Sequence, residues 1–499
     1  MKRQGKRSCG ILMPISSLPG QMGIGTLGKS AYEFVDFLKN AGQTYWQILP
    51  VCPTGFGDSP YQSFSTFAGN PYFIDFDLLY KEGYISQEDY KYSFCSRSES
   101  EINYSLLYTE RKRLFLKLFA NFEKNIPAEF YEFCAENAFW LDDYARFMAI
   151  KDKFSGASFD MWNPALKKRE PEAISAVDKE CHSSIKYYKM LQFLFFKQWH
   201  ALKEYANKND IKIIGDLPIY VSADSADVWS EPKQFCLDED LRPIEVAGCP
   251  PDAFSVDGQL WGNPVYNWEY MKETDYAWWK KRIEMSLKIY DVIRIDHFRA
   301  FDSYYCIPFG SKTAQMGVWR EGPKMSLFDS IRNALGDLPI IAEDLGFLTD
   351  SVRKLLKDST FPGMKVLQFA FDSDENNEYL PHNYGKNSVV YTGTHDNDTV
   401  IGWANSLEEK TYEHACAYLN AKDRYDLSEK MITAALSCVC DTCILTVQDI
   451  LRLGSEARLN SPSTVGQNWK WRMTREQFLS LYSNRLKEQT KLYGRLNDK

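Results

Sequence analysis

Three carboxylates stand directly after short runs of β-branched and apolar residues: Asp296 in Arg294-Ile-Asp-His-Phe-Arg, Glu343 in Ala342-Glu-Asp-Leu-Gly and Asp396 in Thr394-His-Asp-Asn. A carboxylate ending an apolar strand is costly unless it is hydrogen-bonded or lies at the sheet edge. Three such placements point to one shared pocket, the arrangement of barrel enzymes. Two carboxylates and a helper are what cleavage of a glycosidic bond requires.

Each acid has its own local logic. Alternation along Val292-Ile293-Arg294-Ile295 puts Arg294 and Asp296 on one side of a strand, where the guanidinium holds the carboxylate ionised, as a nucleophile must be. A buried Arg/Asp pair tying one strand to its neighbour explains the same two residues. Glu343 sits beside Asp344, and burial with a neighbouring carboxylate raises a pKa in the way a general acid needs. The competing reading makes Glu343 or Asp344 the N-cap of the following helix. Asp396, with His395 and Asn397, offers donors and acceptors suited to the hydroxyls of one sugar ring, and repulsion from it helps keep Glu343 protonated. His395 taken alone reads as structural. Together the three describe a retaining mechanism with Asp296 as nucleophile, Glu343 as acid/base and Asp396 as stabiliser.

The elements that must position these residues are legible as eight apolar runs: 10–15, 45–51, 211–221, 291–295, 338–342, 364–370, 388–391 and 443–447. Helical patterns fall between them at 31–40, 327–335, 351–357 and 428–436. The alternation predicts an α/β fold, a (β/α)8 TIM barrel spanning residues 1–499 as one catalytic unit. Two connections far exceed one helix and are read as insertions after strands 2 and 3, both leaving from the face that carries the acids. Residues 75–210 form a mostly helical subdomain, with helices over 106–122, 139–151 and 185–207. Residues 222–290 form a loop-rich subdomain, dense in Pro and Gly to residue 268, with a lid near 247–262. No C-terminal β-domain is expected.

Composition narrows the classes. Apolar residues make up 44% and charged residues 25% of the 499, within the globular range. The net charge of −8, with Lys and Arg scattered among acids, argues against nucleic acid as a partner. No apolar stretch approaches the ~20 residues of a bilayer crossing, and no secretion signal is read, so the expectation is no membrane and a cytoplasmic location. Twelve irregularly spaced cysteines fit reduced thiols. Cys438, Cys440 and Cys443 form C-x-C-x2-C but lack a second cluster to complete a tetrahedral set, so no metal is expected. Aromatic residues reach 15%, many in Gly- and Pro-rich loops, where flat rings suit the C–H face of a pyranose, though any one ring reads as core.

Beyond the acids, the chain carries Ile15-Ser-Ser-Leu-Pro-Gly, Gly57-Asp-Ser-Pro-Tyr-Gln-Ser-Phe-Ser, Gly69-Asn-Pro-Tyr, Gly215-Asp-Leu-Pro-Ile-Tyr-Val, Pro250-Pro-Asp-Ala-Phe-Ser, Gly258-Gln-Leu-Trp-Gly-Asn-Pro and Asn468-Trp-Lys-Trp-Arg. With the three acid motifs these resemble the amylomaltase family, the 4-α-glucanotransferases of the α-amylase superfamily, over residues 10–472. The resemblance implies the same three roles for Asp296, Glu343 and Asp396. It implies Arg294, His395 and Asp216 as holders of the donor sugar, Tyr61 and Trp261 as stacking residues and Asp252 in a loop over the acceptor side. Gln259 and Asn468 are implied as further substrate-binding residues. The expected reaction is transfer of an α-1,4-glucan segment from a maltooligosaccharide or glycogen-like donor to an acceptor's 4-hydroxyl, without cofactor, by a monomer or weak homodimer. An α-amylase-like hydrolase using the same acids is the alternative, and a non-catalytic glucan-binding protein a further rival. One departure stands out: Ser463 occupies a position where the family pattern expects a small residue, often glycine.

Overall fold

The computed structural model describes residues 7–94, 98–251, 256–346 and 348–496. Eight parallel strands run in chain order around a barrel: β1 Ser8–Leu12, β2 Tyr45–Gln47, β3 Lys212–Leu217, β4 Val292–Ile295, β5 Ile340–Ala342, β6 Gly363–Val366, β7 Ser388–Tyr391 and β8 Thr442–Thr446. β8 pairs back onto β1 with Cys9 opposite Cys443. The seam between β5 and β6 is closed by Ala342 N–H donating to Pro362 O at 2.9 Å and by Met364 N–H donating to the Asp344 carboxylate at 2.6 Å. Each strand is covered on both faces, by the barrel interior and by the helices outside, which is why these runs are almost wholly apolar.

All eight strands lie where the apolar runs place them, but several runs outlast their ladders. β3 ends at Leu217 because Pro218 cannot donate to a neighbour, while Ile219, Tyr220 and Val221 stay buried in the loop beyond. β6 gives way at Leu367–Phe369 to a 3-10 turn. Helices wrap the outside: Lys29–Asn40 presses Phe34 onto Trp46 of β2, ring centres 5.0 Å apart.

The connection from β2 to β3 carries helices Tyr104–Phe122, Ala138–Lys153 and His182–Lys208, together with Ala128–Glu136 and Pro171–Glu180. The long helix His182–Lys208 does more than fill space. Gln192 accepts from Gly69 N–H at 2.7 Å and returns a bond to Gly69 O at 2.9 Å, and Gln198 clamps Asp75 in the same two-way fashion. Each buried glutamine satisfies backbone groups of the loop after β2, fixing the segment that bears Tyr61.

A four-stranded antiparallel sheet stands beside the barrel mouth, in the order Gln259–Pro264, Glu245–Cys249, Ser303–Pro308, Val318–Glu321. Two of its strands fall in the stretch whose Pro and Gly content reads as loop. After Thr446 no strand follows among the described residues. The C-terminal Arg495, fully buried, donates to the carbonyls of Ser8, Leu436, Cys438 and Cys440, tying the last helix to the floor of the barrel and engaging the backbone of the C-x-C-x2-C segment. Among the described residues no group of three or more His, Cys, Asp or Glu is placed to hold a metal ion, and no helix is long and apolar enough to cross a membrane.

Candidate active site

Register brings the charged residues together at the carboxyl ends of β3, β4 and β5. Asp216 pairs with Arg294, and Ile295 pairs with both Leu217 and Ala342, so Asp296 and Glu343 each follow directly on a matched pair. Backbone bonds continue the match: Asp296 N–H donates to Leu217 O and Glu343 N–H to Ile295 O, both at 3.0 Å. Neighbouring strands lie about 4.8 Å apart, so the two carboxylates start side by side on the barrel rim.

Arg294 is buried and serves two acids. Its Nη1 donates to both oxygens of Asp216 at 2.7 Å and to Asp296 at 3.1 Å. The tie between strands is therefore the Arg294–Asp216 pair, and Asp296 receives the remainder of the guanidinium's field. Asp296 keeps 30% of its side chain exposed, at the floor of the cleft, where Asp216 cannot be reached by water. Its pKa is raised above the usual carboxylate range, first by desolvation in the cleft, with Arg294 opposing and Asp216 and Asp396 adding repulsion. Arginine alone does not hold this acid low, because Asp216 claims most of the same cation.

Glu343 is raised further, by burial and then by the Asp296 charge, against the pull of Arg294 and two backbone bonds. Those bonds come from His297 N–H at 2.6 Å and Leu345 N–H at 2.9 Å. The pair therefore shares its charge unequally: Asp296 ionises first, and the proton stays on Glu343. His297 reaches Glu343 through a left-handed backbone, φ 51°. The helix-cap reading of Glu343 and Asp344 does not hold. Thr349 caps the next helix, Asp350–Ser359, while Asp344 is spent on the β5–β6 seam.

At the end of β7, His395 and Asp396 meet Tyr61 from the loop after β2. The Tyr61 hydroxyl donates to Asp216 at 2.8 Å and lies 2.8 Å from His395 Nε2. A phenol has one proton, and burial beside Asp216 pushes its pKa well above the ordinary value, so it remains a donor. His395 Nε2 must then carry its own hydrogen and donate to the Tyr61 oxygen. That nitrogen also lies 3.4 Å from Asp396. The Tyr61 and His395 rings stack at 5.2 Å, and Trp469 backs both.

Asp396 is fixed by two residues that have no sequence signal. Asn460 donates to its carboxylate at 2.6 Å, and Arg458 donates to its carbonyl at 2.8 Å while holding Asn460 O. The loop they occupy is stapled by Asn468, whose side chain bonds Ser461 N–H and the carbonyls of Ser461 and Thr464. Asn468 is thus engaged with backbone. Ser463 in that loop adopts φ 65°, the left-handed region that favours glycine.

Trp261 lies across the mouth. Val246 pairs with Pro264 and Gly248 with Leu260, so the register of its strand is interrupted around Trp261, and Gly262 follows at φ 78°. The indole meets His297 edge-on at 4.9 Å and donates to Gln259 Oε1 at 3.0 Å, so those two expected site residues touch each other. Gln62, next to Tyr61, donates to Asn263 at 3.0 Å and to Trp261 O at 3.4 Å, linking the loop to the sheet. Asp252 lies outside the described residues. The arrangement offers an ionised carboxylate, a protonated one beside it, a third acid held opposite and aromatic walls.

A model of glycoside hydrolase family 77, described as 4-alpha-glucanotransferase, matches residues 13–478. A 4-alpha-glucanotransferase of Clostridium butyricum is 50% identical over 487 residues, covering 97% of this chain and 100% of its own. One from Streptococcus pneumoniae is 46% identical over 496 residues, covering 99% and 98%. Among solved structures, an amylomaltase from Streptococcus agalactiae in complex with acarbose superposes with a TM-score of 0.96 at 45% identity, covering 99% of this chain and 100% of that one.

Proposed function

The chain belongs to the 4-alpha-glucanotransferases of glycoside hydrolase family 77, and from that premise we propose that Asp296, Glu343 and Asp396 perform its transfer reaction. It moves an α-1,4-glucan segment from a donor maltooligosaccharide or glycogen-like chain to the 4-hydroxyl of an acceptor glucan or glucose. The ionised Asp296 attacks C1 of the donor sugar as the glycosidic C–O bond breaks, and Glu343 gives its proton to the departing oxygen. In the second half Glu343, now a carboxylate, takes the proton of the acceptor's 4-hydroxyl, whose oxygen attacks C1 and expels Asp296. Asp396, braced by Asn460, stabilises the positive charge that develops on the sugar in both steps.

The observation carrying this reading is the pairing of Ile295 with Ala342, which starts both acids from adjacent positions on neighbouring strands. Retaining enzymes hold their carboxyls about 5–5.5 Å apart, whereas inverting ones leave room for a water. Tyr61 and His395, backed by the buried Arg294–Asp216 pair, form the polar wall on the donor side, and Trp261 with Gln259 stands over the leaving and incoming chain. The described parts of the expected lid, 247–251 and 256–262, keep water from the covalent intermediate while acceptor replaces leaving group; 252–255 lie outside the described residues. Eleven free cysteines among the described residues support a cytoplasmic setting.

The test is a time course with maltotriose. Transfer rearranges glycosidic bonds without changing their number, so glucose and longer chains should appear while total reducing ends stay constant. A steady rise in reducing ends would instead establish the α-amylase-like alternative.

A further inference from the structure

Apolar surface that a monomer leaves in water marks a place where something binds. The four-stranded sheet exposes such a patch on the side away from Trp261. Its last strand, Val318–Glu321, is an edge with every residue exposed. Trp319 keeps 45% of its surface in solvent, and Met316 beside it 74%.

The Trp319 indole is held rather than loose. The Arg299 guanidinium lies over its ring at 4.2 Å, and Tyr305, its partner in the ladder, meets it at 5.2 Å and 62°. Tyr305 is itself anchored by donating to Ala314 O at 2.9 Å. A large flat ring fixed from two directions and still open to water has already given up its rotamer freedom, so a ligand that stacks on it need not order it.

Continuity identifies the ligand. The strand at the opposite edge of the same sheet bears Gln259 and Trp261. Arg299 belongs to the 3-10 turn Phe298–Phe301 that follows Asp296, and His297, its N-cap residue, touches Trp261 at 4.9 Å. Trp261 and Trp319 therefore flank one turn, the first at the cleft and the second outside it. We propose that Trp319 is an outlying platform for α-1,4-glucan, on which a chain too long for the cleft rests a sugar face. The inference rests on the glucanotransferase reading and adds that long chains bind beyond the cleft while short ones do not.

Three proteins decide it: wild type, Trp319→Ala and Trp319→Phe, the last retaining a flat ring. Each is assayed on maltotriose and on soluble amylose, and each is run through a native gel containing amylose, which needs no turnover. Trp319→Ala should leave maltotriose disproportionation within about twofold of wild type. It should raise the KM for amylose by about three- to tenfold, the loss of one aromatic contact. It should also migrate faster through the amylose gel, and Trp319→Phe should recover part of both effects. Equal loss on both substrates, or unchanged KM and unchanged gel retardation on amylose, overturns the proposal. So does a change in oligomeric state by light scattering, which would make the patch a contact between copies of the chain. Failure of the wild type to disproportionate maltotriose would count against the proposed function alone, because gel retardation still reports on Trp319.

Discussion

Arg294 stands between two carboxylates, and replacing Arg294 or replacing Asp216 should move the acid limb of the pH profile in opposite directions. Asp296 must be ionised to attack, so kcat/KM falls as pH drops through its pKa in the free enzyme. Arg294→Met removes the largest influence that offsets burial and the Asp216 and Asp396 charges. A full charge 3.1 Å away is worth on the order of 5 kcal/mol at an effective dielectric of about 20. Sharing with Asp216 reduces the part that reaches Asp296, and neighbouring opposite charges commonly shift a carboxylate by about one to three pH units. The acid limb should therefore move up by at least about one pH unit. Asp216→Asn does the reverse: a repelling charge vanishes and Arg294 belongs to Asp296 alone, so the limb should move down by about one pH unit. The assay is glucose release from maltotriose across pH, fitted for the limb's position and not its height, because both variants also disturb the hydrogen bonds that hold Tyr61 and Asp296 in place. Arg294→Met leaves buried carboxylates uncompensated, at a cost of roughly 3–5 kcal/mol in stability, so its thermal unfolding is recorded alongside. Movement of both limbs in the same direction, or of neither, refutes the assignment of Asp296 as the ionised group.

Asn460→Ala removes a 2.6 Å bond to Asp396. With about 1–2 kcal/mol at stake, kcat on maltotriose should fall roughly tenfold with KM little changed; unchanged kcat would show that Asp396 needs no brace. Gly215→Ala places a Cβ 2.1 Å from the Tyr290 ring, backed by the barrel wall. Overpacking there should cost about 1–3 kcal/mol, read as a lowered unfolding temperature, and wild-type stability would show that the ring can retreat.

Much of this architecture was legible because closed parallel barrels bury both faces of each strand, and β4 and β5 therefore read as largely apolar runs ending in an acid, while Asp396 follows β7 after the four residues Thr392 to His395. The limits of that signal are equally physical. Burial continues past the ladder at Ile219 and Tyr220, so apolarity overstates β3. The antiparallel sheet was not legible: Glu245–Cys249 and Gln259–Pro264 are short and interrupted by glycine, and Val318–Glu321 is exposed throughout, so no alternation marks it. Glu343 and Asp344 look interchangeable as caps, and only the β5–β6 seam and Thr349 separate their roles. Asn460 and Arg458 sit in a loop with no periodic neighbour, 64 and 62 positions from Asp396. Long-range partners of that kind leave no trace in local pattern.

The central claim is that Asp296 forms a bond to the sugar that Glu343 later helps to break. Fluoride needs little acid assistance to leave, so the Glu343→Gln variant incubated with α-maltosyl fluoride should be glycosylated but slow to transfer onward. Mass spectrometry should then find the intact protein heavier by one maltosyl group, with the modification on the peptide bearing Asp296. An unmodified protein, or the sugar on any other residue, contradicts the account.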